Sequence, residues 1–258
     1  MINKLKEIYQ YRFLVFSLVS RDLKVKYKGS LLGFFWSLLN PLVMLVVYTI
    51  AFKYIIRIRV ENFPVFFLCA FLPWSFLASS LSMSVGSIKD NGNLIKKVYF
   101  PREVLPLSVV LSNLVQFLLT FLILIPALLL FKIQLGLPLL FLPIIIIFQT
   151  AFNMGLSFFF SAFNVFFSDV KHLLEIFLQI WFWLTPIIYP VELVPERFQT
   201  LYKLNPAVQF VEGYRNLLLN NKGISLTQWG VLFLIGGVFF VLGHLFFNHH
   251  NKRFAEEI

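Results

Sequence analysis

Residues 133–168 read IQLGLPLLFLPIIIIFQTAFNMGLSFFFSAFNVFFS and contain no Asp, Glu, Lys or Arg. A helix that crosses the hydrocarbon core of a bilayer needs about 20 apolar residues, so this stretch is long enough to span a membrane. Residues 104–131, 62–88 and 29–52 are equally free of those four residue types. The charges that remain are confined to short connecting segments, which is the pattern of a chain that crosses the membrane repeatedly.

Composition points the same way. Apolar residues make up 59% and charged residues 13% of the chain, against about 45–50% and about 25% in soluble domains. The net charge of +10 does not indicate nucleic acid, because the basic residues flank apolar runs and form no stripe along one element. Cys69 is the single cysteine and the four histidines lack ligand spacing, so neither an intrachain disulfide nor a thiolate metal centre is expected.

Six spans are expected, at about 31–56, 63–86, 104–131, 139–167, 173–189 and 226–247. Lys and Arg in alternate connections then number 14 against 8, the richer set including both chain ends. By the positive-inside rule both termini are cytoplasmic. Residues 1–30 form a separate segment, in which Leu5, Ile8, Tyr9, Phe13, Phe16, Val19 and Leu23 recur at spacings of three and four between lysines. That periodicity predicts an amphipathic helix lying in the inner interface. The run 13–20 is followed by Arg21, Asp22 and Lys24 in place of a small-residue cleavage site, so it is expected to stay on the chain. Residues 31–258 form one transmembrane domain.

The fifth span is the unusual one. Its uncharged core, 176–191, is short and carries Pro186 and Pro190, and a long connection with apolar stretches of its own follows. Proline-broken membrane segments are tolerated inside protein or against water, so this connection is expected to form re-entrant helices on the outer side. Trp181, Thr185 and Tyr189 lie four residues apart, which puts them on one face of a continuous helix. With Trp74, Tyr48 and Phe52 they form a candidate aromatic lining for a path that holds sugar rings by stacking. The cores of the first four spans contain no ionisable side chain, which disfavours ion-coupled carriage and membrane-embedded catalysis. A nucleotide-binding loop of the Gly-x-x-x-x-Gly-Lys-Ser/Thr type is absent, so any ATP that drives the protein is bound by another chain. Gly29 and Gly33, and the small residues Ser79, Ser80, Ser82, Ser84 and Gly86, suit close helix packing.

Four segments together carry a resemblance. Arg21-Asp22-Leu23-Lys24-Val25-Lys26-Tyr27-Lys28-Gly29-Ser30-Leu31-Leu32-Gly33 leads into Trp36 and Pro41; Asn93-Leu94-Ile95-Lys96-Lys97-Val98-Tyr99-Phe100-Pro101-Arg102 precedes Leu105-Pro106. Ser168-Asp169-Val170-Lys171 precedes Thr185-Pro186-Ile187-Ile188-Tyr189, and Leu204-Asn205-Pro206 precedes Arg215. In this order the chain resembles the permease subunit of ABC transporters that export O-antigen, capsular or teichoic-acid polysaccharides. One departure is Ser168, where that family often has an arginine.

The resemblance implies a multi-pass protein of the bacterial cytoplasmic membrane. It also implies a homodimer with two copies of a separate ATPase that binds ATP and Mg, this chain carrying no cofactor. The cargo it implies is a glycan on a polyprenyl-diphosphate carrier, moved between the two permeases. By the same resemblance Asn93, Leu94, Lys96, Lys97, Tyr99 and Arg102 belong to the loop that docks on the ATPase. Arg21, Lys24, Lys26 and Lys28 would lie near the carrier's diphosphate; from the residues alone they also suit anionic lipid or topology. A drug or lipid exporter of the same superfamily is the nearest alternative, and a membrane-embedded glycan-modifying enzyme the alternative of another class.

Overall fold

The structure is a computed structural model and describes residues 7, 9–29 and 35–257. Leu5, Ile8, Leu31 and Gly33, assigned above to the interfacial helix, the start of the first span and the small-residue pair, lie outside the described residues. Every regular element among the described residues is helical. Five helices are long and apolar enough to cross a membrane: Trp36–Ile55, Phe63–Ser84, Val104–Leu130, Leu137–Phe166 and Leu226–Arg253. The chain is therefore an integral membrane protein of the all-α class.

In chain order the elements are α1 (Arg12–Tyr27), α2 (Trp36–Tyr48, continued by a π-helical turn Thr49–Ile55), α3 (Phe63–Ser84), α4 (Gly92–Lys97) and α5 (Val104–Leu130). They continue with α6 (Leu142–Phe166, led in by a 3-10 turn Leu137–Phe141), α7 (Val170–Trp183), α8 (Glu196–Leu204), α9 (Pro206–Leu218) and α10 (Leu226–His250). A helix that is apolar all round belongs in the interior, and α3 is that helix: Phe63, Phe67, Cys69, Leu72, Leu77 and Leu81, distributed around its circumference, are all buried. By contrast, Pro41 is the one buried residue that α2 contributes, and Val43, Met44, Val46 and Val47 are exposed on it.

A second core closes the end of the bundle that holds α1 and the C-terminal residues. There Val15 and Leu18 of α1 meet Ile88, Phe100 and Val104, together with Phe247 and Phe254 from the C-terminal end. The expected apolar stripe of α1 divides as a result. Tyr9, Phe13 and Phe16 are left exposed, while Val19 of that stripe packs on this core together with Val15 and Leu18, which lie outside the stripe.

Helices α6 and α10 run parallel. Phe148 meets Phe233 at 5.8 Å between ring centroids, Phe158 meets Phe247 at 5.5 Å and Phe166 meets Phe254 at 6.1 Å, so the pairing advances in the same direction along both. Their backbones approach closely at glycines. A Cβ on Gly236 would lie 2.7 Å from the Phe148 carbonyl, and one on Gly243 or Gly155 would strike the opposite helix backbone outright. Gly155→Ala and Gly243→Ala are each expected to cost about 1–3 kcal/mol through forced separation of the pair. Gly237→Ala meets nothing within 4 Å and is expected to be neutral or to gain up to about 1 kcal/mol from helix propensity. Thermal melts of the detergent-purified protein distinguish the two classes.

The parallel pair has a topological consequence. Residues 167–225 must carry the chain from the inner end of α6 back to the end where α10 begins. α7 makes the ascent: its inner end adjoins Ser168, which accepts a hydrogen bond from Lys89 at 2.7 Å, and its regular helix stops at Trp183. Then α8 and α9 form a hairpin. Its tip at Asn205 is level with Trp181, and α9 rises beside α3 until Asn221 meets Gly136.

Candidate functional site

At the end of the bundle that holds α1, the segment between α3 and α5 folds as a 3-10 turn, Lys89–Asn91, running into α4. Leu94 and Ile95 turn inward onto the inner core, whereas Asn93, Lys96, Lys97, Val98 and Tyr99 are exposed, Tyr99 at 85%. Arg102 is tied back by donation from its Nη1 to the Asn251 carbonyl of the C-terminal end. The loop is thus a rigid knuckle, anchored at both ends, with two lysines, a tyrosine and a valine outward. Exposed apolar and aromatic groups beside charge suit a protein partner better than lipid or water alone.

The basic segment divides by contact. Arg21 lies against Asp22 at 2.9 Å and donates to Asn91 Oδ1 at 3.1 Å, so it braces the α4 knuckle. Lys24 and Lys28 are exposed. Lys26 has an exposed stem but turns its ammonium inward, donating to Gln116 Oε1 of α5 at 2.5 Å. Burial of that ammonium lowers its pKa from the ordinary lysine value.

At the outer half the six aromatic-path candidates gather in one region without sharing one helix face. The helix ends at Trp183, so Thr185 and Tyr189 leave the four-residue register with Trp181. Thr185 is buried and donates to the Trp181 carbonyl at 2.8 Å. Trp181 packs edge-on against Trp74 at 5.7 Å. The Tyr189 hydroxyl donates to the Trp183 carbonyl and accepts from Tyr202, both at 2.7 Å. Tyr48 stacks on Phe67 at 4.9 Å and on Phe52 at 5.9 Å, and it faces Phe182 at 6.1 Å. Tyr48 and Phe52 stay partly exposed, and Trp74 is buried behind them.

Two residues organise this region, and the sequence reading had named them only as markers. Asn205 accepts from Trp181 Nε1 at 2.8 Å and from the Ala207 backbone N–H at 3.0 Å, and it donates to the Leu184 carbonyl and Thr185 Oγ1, both at 3.2 Å. It joins the hairpin tip to the end of α7 and caps α9. The signal for the cap was local: an Asn followed by a Pro is a helix start with the proline at its first position. Arg215, 3% exposed, lies 3.6 Å over the Phe66 ring, pairs with Glu212 at 3.1 Å and donates to the Ile187 carbonyl at 3.0 Å. Gln149 links three helices, donating to the Pro73 carbonyl at 2.8 Å and accepting from Tyr214 at 2.7 Å.

The comparisons fit this architecture. The family signature described as "ABC-2 type transporter" matches residues 14–219. An "O-antigen export system permease protein RfbA" of Myxococcus xanthus is 32% identical over the whole of both chains, and one of Klebsiella pneumoniae is 34% identical over 98% of each. The "Polysialic acid transport protein KpsM" of Escherichia coli is 24% identical over 85% of this chain and 87% of its own. With a helical membrane bundle and these similarities along its length, the chain belongs to the ABC-2 type transporter membrane family.

Proposed function

We propose that this chain is the transmembrane subunit of an ATP-driven exporter that moves lipid-linked polysaccharide across the bacterial cytoplasmic membrane. The observation that carries the reading is end-to-end similarity to O-antigen export permeases of two organisms. The chain is the conduit and supplies no chemistry; hydrolysis of Mg-bound ATP falls to a partner present in two copies.

Six crossings with both termini inside follow if α7 and the non-helical residues 184–190 cross together as the fifth, because parallel α6 and α10 need one crossing between them. Fourteen helical residues rise about 21 Å, and the chain continues through the turns and bends of residues 184–189 beside α3 and α9, where broken backbone is tolerated. The α8–α9 hairpin is then re-entrant from the outside. A second copy of the chain is the natural cover for the apolar faces of α2 and of α7, where Leu173, Ile176, Ile180 and Trp183 are exposed. In such a dimer the glycan passes beside Tyr48 and Phe52, with Trp74, Trp181, Thr185 and Tyr189 as the packed wall behind them. Arg21, Lys24, Lys26 and Lys28 lie on the inner side, where the carrier's diphosphate approaches.

The α4 knuckle is the ATPase contact in this reading. Charges at an interface rim act mainly on association rate and its salt dependence. Deleting the gene is expected to abolish surface polysaccharide, and Lys96→Glu with Lys97→Glu is expected to fail to restore it while the permease still inserts and folds. Co-purification of the ATPase should fall about tenfold at physiological salt; normal assembly and normal export from the double variant would refute the docking role.

A further inference from the structure

Beneath α8 lies a cavity of about 890 Å³ whose walls include Phe152, Leu156 and Phe160 of α6, Phe177 of α7, and Phe198 and Leu201 of α8. The four polar side chains at its wall, Trp181, Tyr189, Tyr202 and Asn205, are already bonded in pairs, Trp181 to Asn205 and Tyr189 to Tyr202. A sugar entering it would give up its hydrogen bonds to water and find few in exchange. The cavity therefore suits hydrocarbon.

Its depth agrees. Trp181 meets Trp74 at 5.7 Å and Phe152 at 6.5 Å between ring centroids. Those partners lie eleven residues into α3 and ten into α6, about 15–17 Å from the ends at which these helices begin and so near the middle of a hydrocarbon core about 30 Å thick. The hairpin tip at Asn205 is bonded to Trp181. Arg197, eight residues before the tip, stands about 12 Å nearer the outer surface, at the level of lipid head groups.

α8 is two-faced. Phe198, Leu201 and Tyr202 turn to the cavity, and Glu196, Thr200 and Lys203, all exposed, lie on the opposite side of the helix. The Arg197 guanidinium sits between these faces, 4.7 Å over the Phe198 ring. A cation at head-group level thus stands beside an apolar slot that runs to the middle of the membrane, which is complementary in charge and polarity to a phospholipid. The second copy proposed above covers Leu173, Ile176, Ile180 and Trp183, about a quarter-turn around α7 from Phe177 and Trp181, and leaves the slot to lipid.

We propose that the cavity holds one acyl chain of an outer-leaflet phospholipid whose phosphate pairs with Arg197. The chain fills the space between α8 and the close-packed α6–α10 pair and so fixes the position of the hairpin. The occupant is a bilayer lipid and not the polyprenyl carrier, because the slot ends near Phe160 and is far shorter than a chain of many isoprene units. The proposal rests on the outside-entering hairpin of the reading above and on no step of glycan transport.

The test uses the full chain in nanodiscs of phosphatidylcholine doped with phosphatidylglycerol that carries a diazirine near the end of one acyl chain, with photoadducts mapped by peptide mass spectrometry. Adducts are expected on α6 around Leu156 and on α8 around Leu201. Leu156→Trp and Leu201→Trp fill the cavity from opposite walls, and each should lower the yield there about tenfold, the factor for shutting out two methylenes; if one variant fails to fold, the other carries the test. Arg197→Gln should lower it about threefold, and Lys203→Gln, on the opposite face, should leave it unchanged. Background yield in the wild type, undiminished yield in the folded tryptophan variants, or labelling by a diazirine polyprenyl phosphate alone overturns the site. The hairpin is checked separately with Arg197→Cys and an impermeant maleimide on spheroplasts, against a silent background because Cys69 is buried. Labelling only after permeabilisation refutes the hairpin's orientation, whereas labelling from outside with no lipid adduct refutes the lipid site alone.

Discussion

Arg215→Ala is expected to lower the stability of the folded subunit by about 2–4 kcal/mol, from a buried carbonyl left without its donor and a vacated side-chain volume. Three losses coincide. The Ile187 carbonyl, donated to by Nη2 at 3.0 Å, is left without that donor in a buried strand of chain; the Phe66 ring loses the guanidinium stacked 3.6 Å over it; and the space of a long side chain is vacated. Glu212 contributes least, because it is one-third exposed and rehydrates once freed. Glu212→Gln keeps an acceptor for Nη1 but leaves the buried guanidinium without its carboxylate, and is expected to cost about 3 kcal/mol. Arg215→Lys keeps the charge but cannot reach Glu212 and Ile187 with a planar fork at once, and it should cost less than Arg215→Ala. Thermal midpoints of the purified protein give the order, and proteolysis at Arg197 and Lys203 from the outer side reports whether the α8–α9 hairpin has come loose. Equal midpoints for wild type and Arg215→Ala would mean that Arg215 is not what holds Ile187.

The spans were legible because lipid enforces a simple rule: a charge-free run long enough to cross does cross, as an unbroken helix. Expected 63–86 and 104–131 correspond to Phe63–Ser84 and Val104–Leu130. The expected fifth span, 173–189, is not among the five long apolar helices, and it was legible only as an irregularity. The spacing of Trp181, Thr185 and Tyr189 defines a face only while the helix continues, and Pro186 removes a backbone donor and disfavours helical geometry at Thr185. The helix accordingly ends at Trp183, and those side chains turn inward to bond one another and the hairpin.

The contacts that organise the outer half lie far apart in sequence. Trp181 with Asn205 and Arg215 with Ile187 are tertiary contacts that no local period encodes. The basic segment shows the same limit at its smallest scale. Lys24, Lys26 and Lys28 alternate identically in sequence, and only the placement of α1 against α5 selects Lys26 to enter a cleft. Even the stripe that predicted α1 is only in part its contact face: Val19 packs on the core, but Val15 and Leu18, which hold α1 to the bundle, lie outside the stripe.

Asn205→Ala is expected to cost about 2–3 kcal/mol, from loss of the α9 cap at about 1 kcal/mol and from leaving the part-buried Trp181 indole N–H unpaired at about 1–2 kcal/mol. Asn205→Asp divides the effect. A carboxylate still accepts from the Ala207 N–H and the Trp181 indole, but it cannot donate to the Leu184 carbonyl or Thr185 Oγ1, and it brings a charge to membrane depth. Its penalty should therefore fall in a membrane-mimetic of higher water content, whereas that of Asn205→Ala should not. Trp181→Phe, which keeps the ring against Trp74 but removes the indole donor, is expected to cost about 1 kcal/mol and to make Asn205→Ala less damaging on that background, because the two side chains share one bond. Strict additivity in this double-mutant cycle would show that the 2.8 Å contact contributes nothing. A coupling of about 1 kcal/mol would identify it as the fastener of the hairpin to the broken helix, and export defects of Trp181 variants would then follow from a displaced hairpin, not from loss of a sugar-stacking surface.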